Sequence, residues 1–189
     1  MGKPVVGVMG ASENDALSES DRVRLKSLGE KLGSAIAKNG CILITGATTG
    51  LPDAIARSVR ENGGLALGIS PAENRHDHVE HYKMPVDAAD VIIYTGFGLK
   101  GRNVINVRSA DIVIIFGGAT GTLNEFTIAY DEGKIIGVLE GSGGVADHIR
   151  EIISICKKPT RGMVVFDADP EHLVNECLRG LSSRSPCLA

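Results

Sequence analysis

The 189-residue sequence has no tryptophan, and aromatic residues together make up only 4% of it. A core without large rings must rest on Val, Ile, Leu and Ala, which suits a buried parallel sheet covered by helices. No apolar run approaches the roughly 20 residues that span a bilayer. The chain enters Pro4-Val5-Val6-Gly7-Val8-Met9 at once, without the apolar stretch and cleavage site of a signal peptide. A Cys-x-x-Cys pair is also missing: Cys41, Cys156, Cys177 and Cys187 lie far apart and read as reduced thiols, with Cys41 a small core residue. A cytoplasmic location is expected. The net charge of −3 supplies no positive field for nucleic acid or an anionic membrane, so neither is an expected partner. Phosphate recognition, if present, must come from local geometry.

What is there is alternation. Short β-branched runs (Val5–Met9, Cys41–Thr45, Leu65–Ile69, Val91–Tyr94, Ile112–Phe116, Ile135–Leu139, Met163–Phe166) read as strands. Between them, Ser20–Lys38, Pro52–Asn62, Gly101–Ser109, Thr122–Glu132, Ala146–Cys156 and Pro170–Leu181 read as helices. The first of these has an apolar face of Val23, Leu25, Leu28, Leu32 and Ile36 and an Asn39-Gly40 stop. Ser70–Asp90 is polar and poor in regular signals. The pattern predicts an α/β fold: one doubly wound, Rossmann-like domain over residues 1–181, with a parallel sheet of about seven strands and a frayed tail from Ser182 to Ala189. Ile112–Phe116, the most hydrophobic strand, is expected near the centre.

In such sheets ligands sit beyond the carboxyl ends of the strands, where the strand order reverses. Glycines follow four of the strands, at Gly7/Gly10, Gly46/Gly50, Gly96–Gly101 and Gly117–Gly121. The sharpest signal is Phe116-Gly117-Gly118-Ala119-Thr120-Gly121-Thr122-Leu123-Asn124-Glu125. A buried strand runs into glycines and then a helix, so backbone N–H groups can approach an anion at the helix start. The run is neither a P-loop nor a G-x-G-x-x-G fingerprint. Thr122 and Glu125 also have capping-box spacing, which gives them a purely structural reading. Upstream, Arg102 at the start of a helix opposes the helix dipole and is better explained by an anionic partner. Its planar fork suits phosphate or carboxylate.

Arg102-Asn103, then Ser109-Ala110-Asp111, a hydrophobic strand and GGATGTLNE together resemble the Lonely Guy family of cytokinin riboside 5′-monophosphate phosphoribohydrolases. The pattern is similar also to the molybdenum-cofactor carrier proteins of the same Rossmann-like superfamily. The resemblance implies Arg102 and Glu125 as catalytic residues and Gly118, Gly121 and Thr122 as phosphate loop, with Gly117, Ala119 and Thr120 in the same run. It also implies Ser12 and Gly46 as nucleotide contacts and a homodimer or larger assembly. Asn103 stands where the phosphoribohydrolases carry Lys, Gly117 where they carry Pro, and Lys100-Gly101 where they carry Met-His. These differences bring the chain nearer the carrier-like branch.

The chemistry can be argued from the residues as well. N-glycosidic cleavage passes through an oxocarbenium-like state that a nearby carboxylate stabilises while it positions water. One carboxylate and one Arg suffice, so no cofactor and no metal are expected. The cluster Arg75-His76-Asp77-His78-Val79-Glu80-His81 reads as a solvated loop or a flap over the ligand rather than a metal site. His148 and His172 read as surface residues, Ser12 as an anion contact or helix cap, and Gly141-Ser142-Gly143-Gly144 as a plain loop. Two main readings remain: a phosphoribohydrolase acting on a nucleoside 5′-monophosphate, or a carrier of a nucleotide or molybdopterin-type ligand. An oligomeric sensor domain is a weaker third.

Overall fold

A computed structural model describes residues 2–11 and 18–184 of the chain. The β-branched runs form strands β1 (Val5–Gly10), β2 (Ile42–Thr45), β3 (Leu65–Ser70), β4 (Val91–Tyr94), β5 (Ile112–Phe116), β6 (Ile135–Leu139) and β7 (Met163–Asp167). They pair throughout in parallel, in the order β4-β3-β2-β1-β5-β6-β7. Connecting them are helices α1 (Glu19–Lys38), α2 (Leu51–Glu61), α3 (Arg75–Glu80), α4 (Gly98–Ser109), α5 (Thr120–Asp131), α6 (Ile149–Cys156) and α7 (Pro170–Ser183). This is the expected doubly wound α/β architecture. β1 holds the central place, and β5 lies beside it with all five residues buried.

Burial follows from position in the sheet. β5 and β6, covered on both faces, are apolar throughout, whereas edge strand β4 alternates exposed and half-buried residues. Two cores result. α1, α2 and α7 cover one face around Leu32, Ile36, Ile55 and Phe116. On the other, α4, α5 and α6 pack around Val107, Ile115, Phe126 and Ile149. Each such fully buried aliphatic side chain contributes roughly 1.5–3 kcal/mol.

Local chemistry sets the helix ends. Ser18 caps α1 by accepting from the Asp21 N–H at 3.1 Å, and Glu19 and Asp21 in the first turn favour its dipole. Val23, expected on the apolar face of α1, is instead 62% exposed, because the helix turns Leu25, Leu32 and Ile36 inward. The polar stretch 70–90 contains α3, started by Asn74, whose side chain accepts from the Asp77 N–H. α6 begins only at Ile149, after a 3-10 turn over Gly144–His148. α7 extends through Ser183, two residues into the expected tail, and residues 185–189 lie outside the described residues.

The topology points to one place. From β1 the chain walks outward to β4, then crosses back to β5 on the other side of β1. The carboxyl ends of β1 and β5, Gly10 and Phe116, therefore flank the point where the order reverses, and loops diverging there leave a crevice.

Candidate functional site

After Phe116 the chain turns through Gly117 and Gly118, both left-handed, with φ of +60° and +90°. A side chain at Gly118 would place Cβ 2.2 Å from Thr122 Oγ1, so only glycine fits the turn. Ala119 is the extended residue before α5, and no side chain caps that helix. The N–H groups of its first turn, from Thr120 to Thr122, thus have no partner within the helix. This corrects the expected capping box. α5 starts two residues before Thr122, whose hydroxyl lies back against Gly118. Glu125 stands in the second helical turn, where it cannot reach the cap residue.

α4 also starts earlier than expected, at Gly98, so Arg102 lies in its second turn rather than at its start. The inward face of this helix is polar: Arg102, Asn103 and Asn106 are buried beside Val107. Arg102 is 7% and Glu125 5% exposed. Arg102 Nη1 lies 3.6 Å from Glu125 Oε1, an ion pair without a hydrogen bond. The guanidinium packs against Gly46, where a Cβ would fall 2.1 Å from Nη1. Asn106 donates to Glu125 Oε1 at 3.4 Å. With its amide turned so that the nitrogen faces Glu125, Asn103 donates to the same oxygen at 3.1 Å and to the Leu99 carbonyl at 2.9 Å. Arg102 and both amides thus converge on Oε1, and Oε2 has no hydrogen-bond partner among the described residues.

Burial governs the electrostatics of this pair. Desolvation lifts the Glu125 carboxyl above its ordinary value against the opposing pull of Arg102, Asn106 and Lys100. Desolvation likewise lowers Arg102, with Glu125 opposing it only in part. Arg102 Nε and Asn106 Oδ1 are buried without partners. Unsatisfied buried groups beside an ionic pair are costly, and perturbed titratable pairs of this kind cluster at functional sites.

The pair lies in the wall of a cleft of about 510 Å³ at the carboxyl edge of the sheet. Gly10 at the end of β1, Gly46 after β2, Lys100 on α4 and Gly121 on α5 all line it, so the glycine-bearing segments converge on one edge. Of the expected phosphate loop, Ala119, Gly121 and Thr122 face this cleft. Gly117 and Gly118 face a second hollow of about 460 Å³ beside α1, which Ala119 also borders. Thr120 lines neither. Ser12 lies outside the described residues.

Sequence reasoning missed Asn106, Met9, Tyr82 and Met84. Asn106 carried a signal, since polar Arg102 and Asn106 stand four apart on the inward face of a helix. Tyr82, Lys83 and Met84 reach the cleft because His78 anchors their loop. His78 is fully buried, with Nδ1 2.8 Å from Ser70 Oγ and Nε2 2.9 Å from the Pro85 carbonyl. That carbonyl can only accept, so Nε2 carries a proton and donates to it. His78 therefore does not belong to a solvated run. Among the described residues no three His, Cys, Asp or Glu side chains are grouped to hold a metal ion. No described helix is long and apolar enough to cross a membrane.

The fold and the cleft together define a Rossmann-like protein with a buried Arg–Glu pair at its switch point. Residues 3–174 match the SLOG cluster4 family, and the chain belongs to it. An uncharacterised protein of Archaeoglobus fulgidus is 34% identical over 175 residues, covering 92% of this chain and 93% of that one. The X-ray structure of TM1055 is similar with a TM-score of 0.80 and 27% identity, over 93% of this chain and 99% of that one. The molybdenum cofactor binding protein from the phototrophic bacterium Rippkaea orientalis gives a TM-score of 0.76 and 28% identity, over 97% and 99%. The expected superfamily is therefore the right one.

Proposed function

We propose that the cleft binds a phosphate-bearing nucleotide-type ligand and that Glu125 cleaves its N-glycosidic bond, releasing free base and ribose 5-phosphate. The observation that carries this reading is the one-sided anchoring of Glu125. Oε1 is held by Arg102, Asn103 and Asn106, while Oε2 is left for a substrate. A 5′-phosphate at the free N–H groups of Ala119–Thr122 brings the ribose toward Glu125, one turn further along α5. The carboxylate stabilises positive charge developing at the anomeric carbon and orients the attacking water. Arg102, which lines the cleft, binds the phosphate or a ribose hydroxyl. Incubation with a panel of nucleoside monophosphates, assayed for free base, tests this directly. Release from at least one is expected, and none from any would overturn catalysis.

A second reading has its own support. The Rippkaea protein binds molybdenum cofactor, and Asn103 stands where the phosphoribohydrolases that the sequence resembles carry Lys. On this reading the cleft carries such a ligand without cleaving it. Binding without base release is its signature. We further propose a cytoplasmic homo-oligomer with α4 at the interface. Val107 is fully buried and explained by sheet packing. Val104 and Ile105 are half-buried, however, and Phe97 and Leu99 at the same helix's start are 68% and 49% exposed. Light scattering at tens of micromolar should give a dimer mass or larger, and a monomer mass would refute it.

A further inference from the structure

The segment after β6, Gly141-Ser142-Gly143-Gly144, is not a plain loop. Ser142 is 2% exposed, accepts the Gly117 N–H at 2.9 Å, and donates to the Leu139 carbonyl. The following residues reach the same glycine turn. Val145 N–H donates to the Gly118 carbonyl at 2.9 Å, and Ala146 N–H to the Gly117 carbonyl at 3.0 Å. The approach is close: a Cβ on Gly144 would lie 2.3 Å from the Gly118 carbonyl oxygen. The segment is itself held from behind. Asp147 accepts from the Gly141 and Gly143 N–H groups at 2.8 and 3.0 Å. From α1, Arg24 donates to the Gly141 carbonyl.

These bonds have a directional consequence. In a trans peptide the C=O of one residue and the N–H of the next point in opposite directions. Drawing the Gly117 and Gly118 carbonyls toward Ala146 and Val145 therefore aims the N–H groups of Gly118 and Ala119 the opposite way, out of the turn. Glycine at 117 and 118 leaves both peptides free to rotate, so the glycine turn cannot hold that aim unaided.

We propose that Ser142, with the Gly141–Asp147 segment, is a positioning element for anion binding. It locks the Gly117–Ala119 peptides so that their N–H groups join the free first-turn N–H groups of α5 on one anion. The proposal rests on the phosphate reading of that helix start. Ser142 touches no ligand and acts through the backbone of the glycine turn.

The test uses the full chain, with inorganic phosphate and AMP as probes and backbone amide shifts plus titration calorimetry as readouts. Ser142→Ala should weaken both probes roughly ten-fold, the low end of the cost of removing a residue that orients the ligands of a metal. Asp147→Ala, at an exposed position that threatens folding less, should weaken them in the same direction. Val174→Ala in α7, far from the cleft, serves as a control that loses stability alone. If the two variants lose melting temperature like the control but bind both probes as wild type does, the segment is merely structural and the proposal fails. If wild type itself shows no shifts at 118–122 with either probe, the phosphate reading fails instead, and this one with it. Weakened binding together with displaced Gly118 and Ala119 amide resonances in the unliganded variants establishes the positioning role.

Discussion

Two ion pairs in this molecule behave in opposite ways. His172 and Asp167, at the junction of β7 and α7, form a close pair on the surface. There the Asp167 carboxyl is lowered by the His172 hydrogen bond, and His172 is raised by Asp167. Each partner is moved toward its charged form, as an ordinary ion pair should be. Arg102 and Glu125, buried together, are moved the other way: desolvation lowers the arginine and raises the glutamate, and mutual attraction only partly offsets it. The surface pair adds little stability, whereas burial makes the charged forms of the buried pair costly. A fold retains such a cost where the charges meet something else.

The largest effect should come from breaking the buried pair on its reacting side. Glu125→Gln keeps the shape and should cut base release by about 100-fold or more while leaving AMP affinity within a few-fold. Unchanged release, measured by separating base from nucleotide, removes Glu125 from the chemistry. Next comes the arginine. Gly46→Ala intrudes on the space of the Arg102 guanidinium and should weaken AMP binding about ten-fold, or by about 1.4 kcal/mol. Arg102→Ala should do the same, and calorimetry with both variants checks whether the contact acts through the arginine.

The third effect is on pH dependence. The folded protein holds the Glu125 proton more tightly than the unfolded chain, in which glutamate titrates near about 4.3. Glu125 therefore subtracts stability as pH rises from there through its raised folded value, and the loss levels off above it. Glu125→Gln lacks this loss. Its melting temperature should gain on wild type as pH rises above about 4, and a constant difference would refute the raised value. The smallest effect belongs to the surface pair. His172 is raised, so its stabilisation is complete below the unfolded value of about 6.5 and disappears as pH rises through the folded one. His172→Ala should cost a little melting temperature at pH 5.5 and nothing measurable at pH 9.

The period of apolar residues and the position of glycines were readable one residue at a time. Short β-branched runs alternating with amphipathic helical stretches are the pattern of a parallel sheet covered by helices, and that established the strands and the glycine-bearing edge. The local signals at Arg102, Gly118, Thr122 and Glu125 likewise lay in the chain itself. The sequence pattern misjudged what neighbours decide. Thr122 and Glu125 have capping-box spacing, yet the left-handed turn at Gly117 and Gly118 lets α5 start at Thr120. His78 sits in a polar run, yet Ser70 and Pro85, brought together by β3 and the loop after α3, enclose it. Ser142 looked like part of a loose glycine loop until β6 lay beside β5 and placed its hydroxyl under Gly117. Periodicity is local and survives in one dimension. Burial of a polar group depends on which distant segments supply its partners, and only the assembled sheet decides that.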